Sequence, residues 1–218
     1  MFNLPENTFY NKKIPKETFY SKEEFSSSLK RLFIDQVKTI YWRNKIATTT
    51  TNLSEGKIVK EIEIIEIRLK TNILNEDVLR VIDKGIPYHT IFLLENEGKC
   101  QASVSYKEII ENKCVVSLGE YFHSKFVGME EFSLEMDGLN LDKVYENFFC
   151  QIAGDLLLVR KNEPLKDAIV RNLEIKKLGK QINALENKIR KEKQLNVQVK
   201  LNDNLKELSK ELKKLSKI

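Results

Sequence analysis

The sequence predicts an α+β fold: a mainly antiparallel sheet of about four strands with flanking helices, followed by a C-terminal antiparallel coiled-coil helical hairpin. Short segments rich in β-branched residues, and the glycine-containing turns between them, predict the sheet. Isoleucine and leucine recur about every 3.5 residues near the C-terminus, which predicts the hairpin. We therefore expect an N-terminal arm at residues 1–20, an α+β body at residues 21–160 and a basic coiled-coil hairpin at residues 161–218.

The first helix is predicted to follow an irregular N-terminal arm and to begin at Ser21, which forms a capping-box pattern with Glu24. The apolar residues of this segment follow at spacings of four and three on one helical face: Phe25, Leu29, Phe33, Val37 and Ile40. The helix is expected to end near Trp42. Four threonines at residues 48–51 favour an extended segment after it, because β-branched side chains fit strands better than helices.

The rest of the body is predicted to contain strands and helices separated by turn residues. In chain order we expect a strand at residues 57–70, a helix at 75–85, strands at 88–96, 99–108 and 114–126, and a helix from residue 141. Asn75 can cap the first of these helices, and Pro87 prevents its continuation. Gly98 marks a hairpin turn and Gly119 marks a kink.

Two apolar seams with heptad spacing define the tail. The first seam comprises Ile175, Leu178, Ile182, Leu185 and Ile189, and the second comprises Leu201, Leu205, Leu208, Leu212 and Leu215. On one straight helix the step from Ile189 to Leu201 places the two seams about 120° out of phase. A turn at residues 193–198 would bring them face to face in an antiparallel hairpin. The alternative is one long bent helix that pairs with another chain. In both cases the seams are the candidate partner-binding residues.

The positive charge of the chain is concentrated in this tail. The formal net charge is +5, but residues 156–218 hold 17 Lys or Arg against 8 Asp or Glu, so the rest of the chain is slightly acidic. This asymmetry indicates an acidic partner for the tail, which could be nucleic acid or an acidic protein face. The alternative is a lysine-rich helix face that is exposed to solvent and binds no partner.

Composition and motifs also limit the expected cellular location of the protein and the cofactors that it could bind. Three cysteines without metal-ligand spacing, and an N-terminus without a signal-peptide pattern, predict a cytoplasmic protein with reduced thiols. No apolar run approaches the roughly 20 residues that span a bilayer, so we expect no membrane contact. Gly-rich phosphate loops are absent, and His89 and His123 lack partners at metal-ligand spacing. We therefore expect neither a metal nor a cofactor.

The run EIEIIEIRLK at residues 61–70 offers a catalytic alternative. A nuclease of the restriction-endonuclease type holds Mg²⁺ with carboxylates beside a lysine, and Glu63, Glu66 and Lys70 are the candidates. The acid-x-Lys spacing of such sites is absent, however, and the isoleucines favour a core strand. Strict alternation fails at Ile64 and Ile65, which indicates a bulge or a strand buried on both sides.

Aromatic and basic side chains combine in the segment YWRNKIA at residues 41–47. Trp42 offers a stacking plane, while Arg43 and Lys45 offer cations, and this combination binds phosphates and unstacked bases. The alternative is that Trp42 only closes the base of the first helix. The remaining candidate nucleic-acid-binding residues are Lys107 on a later strand and, at the hairpin turn, Lys188, Arg190, Lys191 and Lys193.

Six segments occur in an order and spacing that resemble a known family. They are IYWRNKIA (40–47), EIEIIEIRLK (61–70), IDKGIPYHTIFLL (82–94), VSYKE (104–108), EYFHSKF (120–126) and RKEKQLNVQVKLN (190–202). The chain resembles an uncharacterised prokaryotic family, domain of unknown function DUF4391. The resemblance implies no activity and no catalytic residues. Members of the family are often encoded near restriction-modification methyltransferases and helicases, which implies a role in nucleic-acid-directed defence.

We therefore expect a non-catalytic accessory or adaptor protein of a bacterial defence or nucleic-acid-processing system. Its coiled-coil tail would bind a protein partner, such as a helicase, a methyltransferase or another defence subunit, and its basic surfaces would contact nucleic acid. Two alternatives stay open. One is a Mg²⁺-dependent nuclease, and the other is a structural homo-oligomer assembled by the tail.

Overall fold

The computed structural model describes residues 3–20, 26–110, 113–117 and 119–216. The chain divides into two compact units between Leu156 and Leu157. The helices and strands of the described residues are β1 (Phe9–Ile14), α1 (Glu17–Tyr20), α2 (Ser27–Gln36), β2 (Val37–Ile46), β3 (Ile62–Leu69), α3 (Glu76–Gly85), β4 (His89–Asn96), β5 (Lys99–Val104), β6 (Lys107–Ile110), β7 (Lys113–Ser117), β8 (Phe122–His123), β9 (Val127–Gly128), α4 (Leu141–Ala153), α5 (Leu165–Lys191) and α6 (Leu195–Ser216). None of the described helices is both long enough and apolar enough to cross a membrane.

The first unit is built on a mixed sheet. Among the described residues its strands follow the order β1-β2-β3-β4-β5-β8, and β9 also pairs with β5. The β3 and β4 strands run parallel, whereas the other neighbours are antiparallel. The β6 and β7 strands form a separate pair. The predicted α+β class is therefore confirmed, but the sheet is larger than the predicted four strands and is not purely antiparallel.

The first long helix is shorter than predicted. Ser26 caps α2, because its side-chain oxygen accepts a hydrogen bond from the backbone N–H of Leu29 at 3.3 Å. The helix ends where Val37 begins β2, so the residues predicted to form its last turns form a strand instead. The predicted capping residues Ser21 and Glu24 lie outside the described residues.

The N-terminal arm contributes an edge strand, contrary to the predicted irregular structure. The β1 strand pairs antiparallel with β2, and the register shifts between Phe9 and Lys12. Asn11 has a positive φ of 49° within this bulge. A bulged edge that carries Lys12 and Lys13 resists pairing with other chains, because the bulge twists the strand and the lysines carry like charges.

Helix α3 forms the crossover that a parallel strand pair requires. Asn75 caps it as predicted, with its side-chain oxygen 2.8 Å from the backbone N–H of Asp77. The helix packs with α2 on one face of the sheet. The buried residues of this core are Phe33, Val37, Ile40, Ile65, Ile67, Leu69, Val78, Leu79, Ile82, Phe92, Leu94 and Tyr121.

Helix α4 packs on the opposite face of the sheet. The ring centroids of Phe149 and Phe122 lie 5.3 Å apart, and those of Tyr145 and His89 lie 4.6 Å apart. The Tyr145 hydroxyl also donates a hydrogen bond to the carbonyl oxygen of Ser105. Both faces of β3 and β4 are therefore covered, and isoleucines on both faces are buried.

His89 makes the stability of this unit depend on pH. Burial, and then the charge of Lys107, lower the pKa of His89 to about 4. The unfolded chain takes up a proton near the ordinary pKa of about 6.5, so stability is fully present above that value and is lost as the pH falls toward 4. Between pH 7.5 and 5.0 we expect the free energy of unfolding of the native chain to fall by about 2 kcal/mol relative to that of His89→Leu, with both chains measured by urea denaturation. Other groups that titrate in this range contribute equally to both chains, so the comparison isolates His89. The same change with pH in both chains would contradict the assignment.

Candidate functional site

The aromatic and basic cluster predicted on one surface is divided between the two faces of the sheet. Trp42 is the register partner of Ile65 and packs against the core beneath α2 and α3. A bulge between Trp42 and Asn44 interrupts the pairing of β2 with β3. Arg43, within this bulge, forms an ion pair with Glu66. Trp42 and Arg43 therefore do not form one stacking surface.

Glu66 is the centre of an ion network on the α4 side of the sheet. Its side chain is buried, one carboxylate oxygen meets Arg43, and the other accepts a hydrogen bond from Nε of Arg68 at 2.8 Å. The Arg68 guanidinium lies 4.8 Å from the centre of the Tyr41 ring, which holds its plane in place. Since each oxygen of Glu66 already contacts an arginine, this carboxylate is part of the ion network and is not free to bind another group.

The three candidate nuclease residues are not brought together. Alternation along β3 places Glu63 on the α2–α3 face and Glu66 on the α4 face. Lys70 follows the strand and donates a hydrogen bond to the carbonyl oxygen of Ile34 at 2.7 Å. The described residues also contain no group of three or more His, Cys, Asp or Glu side chains arranged to hold a metal ion.

Lys45 lies beside two carboxyl groups at the start of β3. Its Nζ is 2.8 Å from Oε2 of Glu61 and 5.9 Å from the centre of the Trp42 ring. Glu63 is the register partner of Lys45 and is only 2% exposed. Burial, and then the neighbouring Glu61 carboxyl, raise the pKa of Glu63 to about 9. A carboxyl group with this pKa favours its neutral form near neutral pH, and the ion pair at this position is the one between Lys45 and Glu61.

Lys107 lies inside the fold, although it was expected on a nucleic-acid-binding surface. Its side chain is fully buried, and Nζ is 2.7 Å from Oδ1 of Asp83 and 3.0 Å from Oγ1 of Thr90. The carbonyl oxygens of Asp83 and Ile86 accept two further hydrogen bonds from it. Tyr121 donates to the other Asp83 oxygen at 3.1 Å. This network fixes the end of α3 to the sheet and leaves no donor of Lys107 for a ligand.

The structure contains a second polar cluster that the sequence did not predict. Ser103 Oγ is 2.7 Å from Nδ1 of His123, and Nε2 of the same ring is 3.3 Å from Oε1 of Glu76. Hydrolases use the same order of serine, histidine and acid. Ser103 is fully buried here, so its hydroxyl is closed to a substrate. The three residues come from β5, β8 and α3, and no sequence spacing signals that they meet.

The second unit contains a pair of long helices, as predicted. Only three residues separate the end of α5 from the start of α6. Arg160, before α5, donates a hydrogen bond to the carbonyl oxygen of Leu215 in the last turn of α6, so the two helices run in opposite directions. Glu163 pairs with Arg171 at 2.8 Å, and this guanidinium holds the pKa of Glu163 down to about 2.

The burial of the two predicted seams is incomplete. Leu178 is buried at 5% exposure, and the other nine seam residues are half-buried. No residue of α6 is fully buried. Two helices alone therefore leave part of each seam side chain in contact with solvent.

The turn between the helices forms a basic tip. Glu192 orders this turn, since its Oε1 accepts hydrogen bonds from the backbone N–H groups of Lys193 and Gln194 at 2.8 and 2.9 Å. The four predicted cations, which we call the tip cations, are exposed and form no ion pair within the described residues: Lys188, Arg190, Lys191 and Lys193. Three of them lie in the last turn of α5, where the helix dipole favours positive charge.

Comparison with known proteins identifies a family. A family model described as "Domain of unknown function (DUF4391)" matches residues 2–212 and thus spans both units. The chain belongs to this family. No curated protein and no solved structure matches it. Membership in the DUF4391 family confirms the resemblance, and it supplies no activity for the sites described above.

Removal of one partner from the buried pair of Lys107 and Asp83 should strongly destabilise the first unit. Lys107→Met removes one partner and leaves a buried carboxylate with only Tyr121, so we expect a loss of about 3–5 kcal/mol in the free energy of unfolding. Adding Asp83→Asn should restore part of this loss, because the uncompensated charge disappears. Urea denaturation measures both effects. The exposed Lys143→Met serves as the control, and a loss below about 1 kcal/mol in Lys107→Met would contradict the prediction.

Proposed function

We propose that this DUF4391 chain is a non-catalytic accessory protein of a bacterial defence or nucleic-acid-processing system, and that its helical pair binds a protein partner. The observation that carries the proposal is the incomplete burial of both seams beside four tip cations that form no ion pair with any described residue. A helicase, a methyltransferase or another defence subunit is the expected class of partner. The proposed location is the cytoplasm.

The seams support a partner helix in particular. An amphipathic helix laid along the groove between α5 and α6 would cover apolar surface that the pair leaves open, as in other helix-in-groove complexes. The tip cations support an acidic partner, because complementary charge at the rim of an interface accelerates encounter and excludes wrong partners. The same cations could contact a phosphate backbone, and they offer a better nucleic-acid contact than Arg43 or Lys107, which are buried in ion pairs.

A second candidate function rests on the same half-buried seams. A second copy of the chain could cover them in a bundle of four helices, which would make the tail an assembly element. Charge argues against this arrangement at the tips, because two basic tips repel each other when they lie side by side. The nuclease alternative has no comparable support, because Glu63, Glu66 and Lys70 lie apart.

A pull-down from the native host, treated with nuclease beforehand, tests the proposal. The full chain should retain a discrete protein partner without nucleic acid. A variant in which Gln replaces all four tip cations should capture about tenfold less of this partner, because complementary charge is lost at the interface. The four changed residues are Lys188, Arg190, Lys191 and Lys193. The matched control changes four exposed lysines in the second half of α6 to Gln: Lys206, Lys210, Lys213 and Lys214.

Three results would overturn the proposal. Equal capture by the tip variant would show that the tip cations do not contact the partner. Loss of capture after nuclease treatment would identify nucleic acid as the ligand. A dimer mass for the isolated chain in light scattering would favour self-assembly through the seams.

A further inference from the structure

Glu61, which is half-buried, and Glu63, which is buried, form an acid pair that differs from the other buried carboxylates of the first unit. The two residues are two positions apart at the start of β3, so both side chains point to the same face of the sheet. Lys45 and Trp42 approach them from β2, and Tyr88 interacts with Lys45 from the other flank. This acid pair takes no part in the proposed function.

The acid pair holds oxygen atoms that the protein leaves without a cation. Neither Glu63 oxygen has a donor in hydrogen-bond geometry, although the side chain is 98% buried and faces the Glu61 carboxyl and the indole N–H of Trp42. Oε1 of Glu61 is also buried and unpartnered, while its Oε2 meets Lys45. By contrast, the buried Glu66 and Asp83 use both of their oxygens in bonds to cations or hydroxyl groups.

We propose that Glu61 and Glu63 form a binding site for a divalent cation. The available ligands are carboxylate oxygens alone, which are the donors preferred by Mg²⁺, Mn²⁺ and Ca²⁺. Mg²⁺ in particular is held by one or two carboxylates, with water or a phosphate group in the remaining positions. Lys45 stands at the open side of the pair, where its side chain is 28% exposed and that of Glu61 is 12% exposed. Its charge suits an anionic co-ligand on the bound ion.

Trp42 provides a direct reporter for this site. It is the single tryptophan of the chain, and its indole N–H approaches Glu63. Mn²⁺ is paramagnetic and quenches indole fluorescence at short range, whereas Mg²⁺ is diamagnetic and can compete without quenching. Fluorescence of the full chain therefore reports occupancy of the acid pair without any assay of activity.

The experiment is a titration of the full chain with Mn²⁺ at about pH 8, followed by Mg²⁺ as competitor. We expect saturable quenching of Trp42 that Mg²⁺ reverses. Glu63→Gln and, separately, Glu61→Gln should weaken the apparent affinity by at least about tenfold, as loss of a ligand carboxylate requires. Glu130→Gln, at an exposed carboxylate away from the pair, should leave the titration unchanged.

A second measurement guards against variants that fail to fold. Glutamine resembles a protonated carboxyl group in size and hydrogen bonding, so Glu63→Gln should melt cooperatively. Mg²⁺ should raise the melting temperature of the native chain and not that of Glu63→Gln, because only the native chain gains binding free energy. Quenching that rises linearly to about 10 mM Mn²⁺, or that is equal in both Gln variants and the native chain, would mean an adventitious ion only and would overturn the proposal.

Discussion

The parallel pairing of β3 with β4 is the constraint on which the first unit depends. Two parallel strands cannot be joined by a tight turn, so the chain must cross over through α3 before β4 begins. This crossover covers one face of the sheet, and α4 covers the other. Strands buried on both faces carry apolar residues without strict alternation, which explains why Ile64 and Ile65 are adjacent and both buried.

Covering both faces also determines how the charged residues of the sheet behave. A charge on such a strand, or packed against it, loses its water and needs a compensating partner. Glu66 on β3 pairs with two arginines, and Asp83 on α3 pairs with Lys107 and Tyr121. Both oxygens of Glu63 and one of Glu61 have no hydrogen-bond donor. At the proposed site, a divalent cation would give these oxygens the positive partner that the other acids already have.

The sequence predicted those features that depend on local signals. Asn75 and Pro87 bracket α3 because caps and prolines act within one turn, and the seam spacing identified the half-buried stripes of α5 and α6. It failed at Val37 and Ile40, which continue the helical spacing of α2 yet lie in β2, because pairing with β1 and β3 decides their conformation. The site residues show the same division. The tip cations are exposed as expected from a turn, whereas the distant partner of Lys107 has no signature in sequence.

The two units differ in how much of their stability comes from packing, and this difference bears on function. The sheet encloses many fully buried side chains, while α6 has none. Most helical stability in proteins comes from packing of an apolar face. Full burial of a half-buried leucine would add roughly 1 kcal/mol of hydrophobic stabilisation. A partner helix along the seams would therefore stabilise the pair as it binds, so that binding and ordering of α6 are linked. Under the proposed function, this linkage would give the half-buried seams a role in a tail whose tip cations form no ion pair within the described residues.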